Sequence, residues 1–223
     1  MGAVIPNARF ARVAGAFYLA YFVVTILADR LARIGMGTPG EVLLAMDKTP
    51  GAFSGGLVLA FVSALLFLLA AWALHSLLKA VNPEVAVLFL VLNAVGAAVH
   101  VASALPLVAA TRLEGEAALV AIAVYKTGFV SAQLFYGTWV IPLGYLMVKS
   151  GLFPRALGVL VMLDGPCILV WFLQEFLMPD RRALSYPGAA LSFVAELSLA
   201  LWLLFRGAAY RHRSRPVSSA AGR

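Results

Sequence analysis

Between Lys126 and Asp180 two long apolar runs are joined by one short turn, Lys149-Ser150-Gly151-Leu152-Phe153-Pro154-Arg155. Each run is long enough to cross the ~30 Å hydrocarbon core of a bilayer as a helix. A connection this short permits only an antiparallel hairpin with its corner at a membrane surface. The whole chain repeats the pattern: 63% of its 223 residues are hydrophobic and 12% are charged, where a soluble domain carries about 25% charged residues. Lipid is therefore the expected solvent.

Six spans are expected, at about 10–28, 53–78, 84–109, within 117–148, at 154–177 and at 188–205. The run 117–148 would be about 48 Å long as one helix, more than the bilayer core needs. It reads either as one long, tilted or bent helix or as a surface segment leading into a span from about Gly128. Lys126 favours a start outside the hydrocarbon, and Pro142 is the expected kink. In the loop after the first span, Thr38-Pro39-Gly40-Glu41 carries the residues of a capping box with proline at the first helical position. A short extra helix ending near Lys48 is expected there. No cleavable signal peptide is evident, because Asp29 and Arg30 follow the first run without a small-residue cleavage site. The fold class is thus an all-α integral membrane bundle, a single domain over 1–206, with a basic and disordered tail over 207–223.

An even number of spans puts both termini on one side. That side holds Arg9, Arg12, Lys79, Lys149, Arg155 and the arginines from Arg206 onward. The other side holds Arg30, Arg33, Lys48, Arg112, Lys126, Arg181 and Arg182, together with Asp29, Glu41, Asp47, Glu114, Glu116 and Asp180. The excess of Lys and Arg favours cytoplasmic termini in the plasma membrane. The net charge of +7 follows this distribution, so nucleic acid is not an expected partner. Membrane lipid is.

Ionisable groups at membrane depth are costly, about 2.5–3.5 kcal/mol on insertion scales, and so face protein or water. Glu196 lies mid-way along the sixth span, with Ser192 one turn earlier on the same face. It reads as a proton carrier, cation ligand or substrate contact, or else as a protonated carboxyl bonded to a neighbouring helix. Asn93 and His100, seven apart, form a polar stripe on the third span. With Glu196, Gln133 and Tyr136 they make a candidate intramembrane pocket, although Gln133 also reads as cross-helix glue. Asp164 precedes Gly165-Pro166. Its preferred role is structural, donating to a carbonyl freed by the proline. Gln174 and Glu175 are expected to reach the headgroups, and Trp139, Trp171, Tyr145 and Tyr186 to act as packing or interface anchors. The small residues Gly51, Gly55 and Gly56 are compatible with a dimer without requiring one, so oligomeric state stays open.

Gln133-Leu-Phe-Tyr-Gly137, Pro142-Leu-Gly-Tyr145, Ser150-Gly-Leu-Phe-Pro-Arg-Ala-Leu-Gly158 and Glu196-Leu-Ser-Leu-Ala-Leu-Trp202 resemble the bacterial domain of unknown function 4386 family. The opening Ala11-Arg-Val-Ala-Gly-Ala-Phe-Tyr18 and Gly51-Ala-Phe53 are similar to it as well. The resemblance covers nearly the whole chain and is most specific over 133–158. It implies a multi-pass membrane protein and no particular activity. Asp164 departs from the small or apolar residue expected there, so it is a poor candidate for any activity the family shares.

No Walker loop, HExxH, GxSxG or His/Cys cluster at metal-ligand spacing occurs. His75 and His100 fall at different depths, which argues against haem. The expectation is no cofactor, no metal and no catalytic residue. Two functions stay open: a protein binding a small molecule or lipid in the polar pocket, and an accessory protein whose polar groups only fix helix packing. An intramembrane enzyme ranks last, for want of a nucleophile and base.

Overall fold

The computed structural model describes residues 8–206, so the expected tail at 207–223 lies outside the described residues. Seven α-helices follow in order: α1 Ala8–Ala32, α2 Pro39–Lys48, α3 Pro50–Leu78, α4 Pro83–Ala110, α5 Gly115–Ser150, α6 Arg155–Leu177 and α7 Tyr186–Arg206. A 3-10 turn, Arg182–Ser185, leads into α7. Six helices, all but α2, are long and apolar enough to cross a membrane. Large apolar side chains such as Leu65, Leu105, Leu163 and Phe205 face outward, as a lipid solvent requires. The chain is an all-α, multi-pass membrane protein.

The helix starts follow local chemistry. Thr38 accepts from the Glu41 backbone N–H at 3.3 Å, and the Glu41 carboxylate accepts from the Thr38 N–H at 2.7 Å. Those hydrogen bonds to Thr38 hold the exposed Glu41 carboxyl below its ordinary range. The box directs Val42 and Met46, four apart, into the protein. At α4, Asn82 accepts from the Val85 N–H at 3.1 Å and Pro83 takes the first helical position.

Helix length sets the shape. α3, α4 and α5 have 29, 28 and 36 residues, against 25, 23 and 21 for α1, α6 and α7. At 1.5 Å per residue α5 alone is about 54 Å long. It is one continuous helix from Gly115 to Ser150. Lys126 and Tyr125 reach the carbonyls of Ile34 and Gly35, just past the end of α1. The first three turns of α5 therefore stand beyond that end, beside α2. Phe53, Leu107, Ile122 and Tyr125 form an apolar core with Val42 at this end. A second core surrounds Trp139 with Tyr18, Phe67 and Phe89 nearer the chain termini.

The α5–α6 hairpin is knitted by glycines every seven residues: Gly137, Gly144, Gly151, Gly158 and Gly165. Gly151 occupies the turn at φ +64°, the left-handed region. The others pair across it, Gly144 with Gly158 and Gly137 with Gly165. A Cβ on Gly144 would lie 2.6 Å from the Gly158 carbonyl oxygen, and one on Gly165 would lie 2.6 Å from that of Gly137. The two backbones touch, as small-residue faces allow in membranes.

Three expectations change. The first span runs on to Ala32 instead of stopping near Ala28, because the Asp29 carbonyl accepts from the Arg33 N–H at 2.8 Å and closes another turn. Gln174 does not reach the headgroups: it is 1% exposed and donates to the Met178 carbonyl at 3.1 Å, sealing the end of α6. Gly56 packs inside the chain against Ala28 and Ala32, while Gly51 and Gly55 face open space.

Candidate functional site: an intramembrane cavity

A cavity of about 780 Å³ lies among α1, α3, α4, α5, α6 and α7, with the 33–36 loop at its rim. That size falls within the ordinary range for small-molecule sites. Four of the five pocket residues chosen from sequence line it: Glu196 from α7, Gln133 and Tyr136 from α5, and His100 from α4. His100 Nδ1 stands 3.4 Å from the Tyr136 hydroxyl, and its ring packs edge-on against Phe129 at 5.0 Å. Gln133 is 7% exposed, and its Nε2 donates to the Phe129 carbonyl at 3.3 Å.

Asn93 does not join them. It is fully buried one turn after Phe89, and neither atom of its amide has a hydrogen-bond partner, nor has the buried Trp139 Nε1. Seven residues return a helix to nearly the same face but also advance it by about 10 Å. His100 reaches the cavity and Asn93 stops short of it.

Asp164 also differs from expectation. Its Oδ1 accepts from the Ser192 hydroxyl of α7, and its Oδ2 is buried without a partner. The bond that holds Asp164 thus ties α6 to α7, and no bond to a carbonyl freed by Pro166 is formed. Ser192, paired with Glu196 by spacing, serves Asp164 and also lines the cavity. Glu196 consequently faces the cavity without that neighbour's hydroxyl.

Several lining residues escaped the sequence reading. Tyr21, Thr25 and Asp29 come from α1, and Arg30, Arg33 and Met36 from its end and the loop. Their signal was present: Tyr18, Tyr21, Thr25 and Asp29 recur at three- and four-residue steps, a polar stripe on one helix face. The two arginines mark the mouth, since they lie at and just past the end of α1. Glu196 lies about 15 Å deeper by helix rise from the start of α7. Aromatic rings line the wall between: Tyr21 stacks on Phe67 at 4.4 Å, and Phe22 meets Phe193 edge-on at 5.0 Å.

The loop at the rim is held from both sides. Asp29 Oδ1 accepts from the backbone N–H groups of Gly35 at 2.7 Å and Met36 at 3.3 Å. Lys126 Nζ donates to the carbonyls of Ile34 at 2.7 Å and Gly35 at 2.9 Å, and the Tyr125 hydroxyl donates to Ile34 at 2.9 Å. Arg33 adopts φ +56°, a conformation costing a non-glycine residue roughly 1 kcal/mol. This bracing offsets that cost. Among the described residues no group of three His, Cys, Asp or Glu side chains converges to hold a metal ion. The arrangement offers a polar floor, aromatic walls and a cationic rim: the parts of a binding site.

No curated protein and no solved structure matches the chain. The family model described as "Domain of unknown function (DUF4386)" matches residues 13–207, from the first turns of α1 to just past α7. The match takes in the α5–α6 hairpin, the loop at the rim and every residue lining the cavity, and the chain belongs to the DUF4386 family.

Proposed function

We propose that the protein binds a small molecule or a lipid in this intramembrane cavity. The observation that supports the reading is the convergence of Glu196, Gln133, Tyr136 and His100 on one space of about 780 Å³. Polar groups at this depth are costly unless they meet protein, water or a ligand. The accessory alternative draws on Asn93 and Asp164, which are buried in packing, but it leaves the volume unexplained. Ala189 lines the cavity and is half-buried, so Ala189→Trp fills part of it. Protein purified in mild detergent should carry a co-extracted compound, seen by mass spectrometry, that Ala189→Trp loses while keeping its elution profile and thermal stability. Equal retention by both proteins refutes the pocket.

We further propose that the protein lies in the plasma membrane with both termini in the cytoplasm. The weight of Lys and Arg on the terminal side supports it, and it turns the cavity mouth away from the cytoplasm. A reporter that is active only in the cytoplasm should work when fused after Arg223; its silence there, with activity when fused within 33–37, reverses the orientation.

A further inference from the structure

We infer that the cavity takes a lipophilic organic cation, its charge set against Glu196 and its apolar body against the aromatic wall. The inference rests on the pocket reading above and names the class of ligand. Three features of the cavity favour positive charge at its floor.

The first is the balance of charged side chains with depth. The lining cations, Arg30 and Arg33, sit at the mouth, where both are exposed. The lining acid at membrane depth is Glu196, and Asp164 lies behind it on the far side of Ser192. A carboxylate in this setting is stabilised by a positive charge brought to it and further destabilised by a negative one.

The second is the supply of acceptors. Thr25 Oγ1 is buried without a hydrogen-bond partner and belongs to the cavity wall. Gln133 uses its amide nitrogen on the Phe129 carbonyl, which leaves the amide oxygen to accept. A protonated amine or the polarised C–H groups of a quaternary centre could donate to both oxygens.

The third is the wall itself. Tyr21, Phe22, Phe67 and Phe193, packed in pairs, line the same cavity as Glu196. Ring faces attract cations, most strongly where water is excluded. An anionic amphiphile would have its headgroup at Arg30 and Arg33, yet its tail would end against a carboxyl group instead of an apolar floor.

Two ions of the same size and shape but opposite charge separate these terms. Tetraphenylphosphonium should bind the full-length protein in nanodiscs saturably, measured by equilibrium dialysis. Tetraphenylborate should bind at least tenfold more weakly. Glu196→Gln should lower phosphonium affinity at least tenfold, and Glu196→Asp, which keeps the charge, should lower it only a few-fold. Should Glu196→Gln fail to fold, wild-type protein still decides. Cys167, the chain's one cysteine, lines the cavity, and the phosphonium but not the borate should slow its reaction with a methanethiosulfonate. Equal binding and protection by both ions overturns the cation inference and leaves the pocket standing. Saturable phosphonium binding untouched by Glu196→Gln removes Glu196 as the counter-charge and overturns the inference too. Binding of neither ion, with Cys167 reacting freely in the presence of both, counts against the pocket as well.

Discussion

Gly144→Leu is expected to keep α5 and α6 from closing on each other, at a cost of about 3 kcal/mol, the upper end for an overpacked core. The first added carbon would fall 2.5 Å from Met162 Cγ and 2.6 Å from the Gly158 carbonyl oxygen. The methionine can swing aside; the carbonyl belongs to a helix backbone and cannot. Separating the helices would also pull apart the reciprocal contact of Gly137 with Gly165, so the penalty spreads along the hairpin. Gly55→Ala is the matched control. Nothing lies within 4 Å of a Cβ at Gly55, so the change brings a helix-propensity gain of up to about 1 kcal/mol and no clash. Unfolding in mixed micelles with increasing dodecyl sulfate should lower the midpoint of Gly144→Leu sharply and leave that of Gly55→Ala level or slightly raised. A Gly144→Leu protein as stable as wild type is incompatible with the close approach described.

The second large effect is expected at Lys126. Lys126→Met keeps the length of the side chain and removes the two charge-assisted hydrogen bonds to Ile34 and Gly35. Hydrogen bonds to charged groups contribute about 1.5–3 kcal/mol each. The Ile34 carbonyl retains the Tyr125 hydroxyl, so the uncompensated loss falls on Gly35 and amounts to about 2 kcal/mol. The loss should be local, because Asp29 and the Tyr125 hydroxyl still hold the rest of the loop. Backbone amides of Gly35 and Met36 should exchange with deuterium roughly thirtyfold faster, the factor that corresponds to such a free energy. Amides in the α5–α6 hairpin should exchange as before. Unchanged exchange at the loop shows that Lys126 is not what braces it; acceleration everywhere shows that its role is global.

How far the sequence carried the fold depended on how local each cause was. The apolar runs, the Thr38–Glu41 box and the Pro83 start are all decided within a few residues, and α3, α4 and α6 begin or end within three residues of where composition placed them. The run 117–148 resisted because its answer lay elsewhere. Lys126 looks like a boundary until the carbonyls more than 90 residues upstream that accept its protons are seen. Asp164 and Ser192 failed for the same reason. Spacing along a helix proposed Ser192 as a partner for Glu196, while the fold gave it to an acid 28 residues away. The cavity was half legible: deep polar residues on α4, α5 and α7 stood out against an apolar background. On α1, Asp29 fell past the expected end of the span near Ala28, so the polar face it completes with Tyr21 and Thr25 was not joined to the pocket.

The glycine ladder has one further consequence. Because the rungs recur every seven residues, sliding α6 by two turns along α5, about 10 Å, would bring glycine opposite glycine again. The helix faces by themselves therefore tolerate more than one alignment. What selects between them is the tether: Ser150 Oγ accepts from the Leu152 N–H at 3.1 Å, and the Pro154 carbonyl accepts from Leu157 and Gly158, so the corner is wound tight and has no slack to release. Here a handful of residues at the bend act as the ruler for the 36 residues of α5 and the 23 of α6.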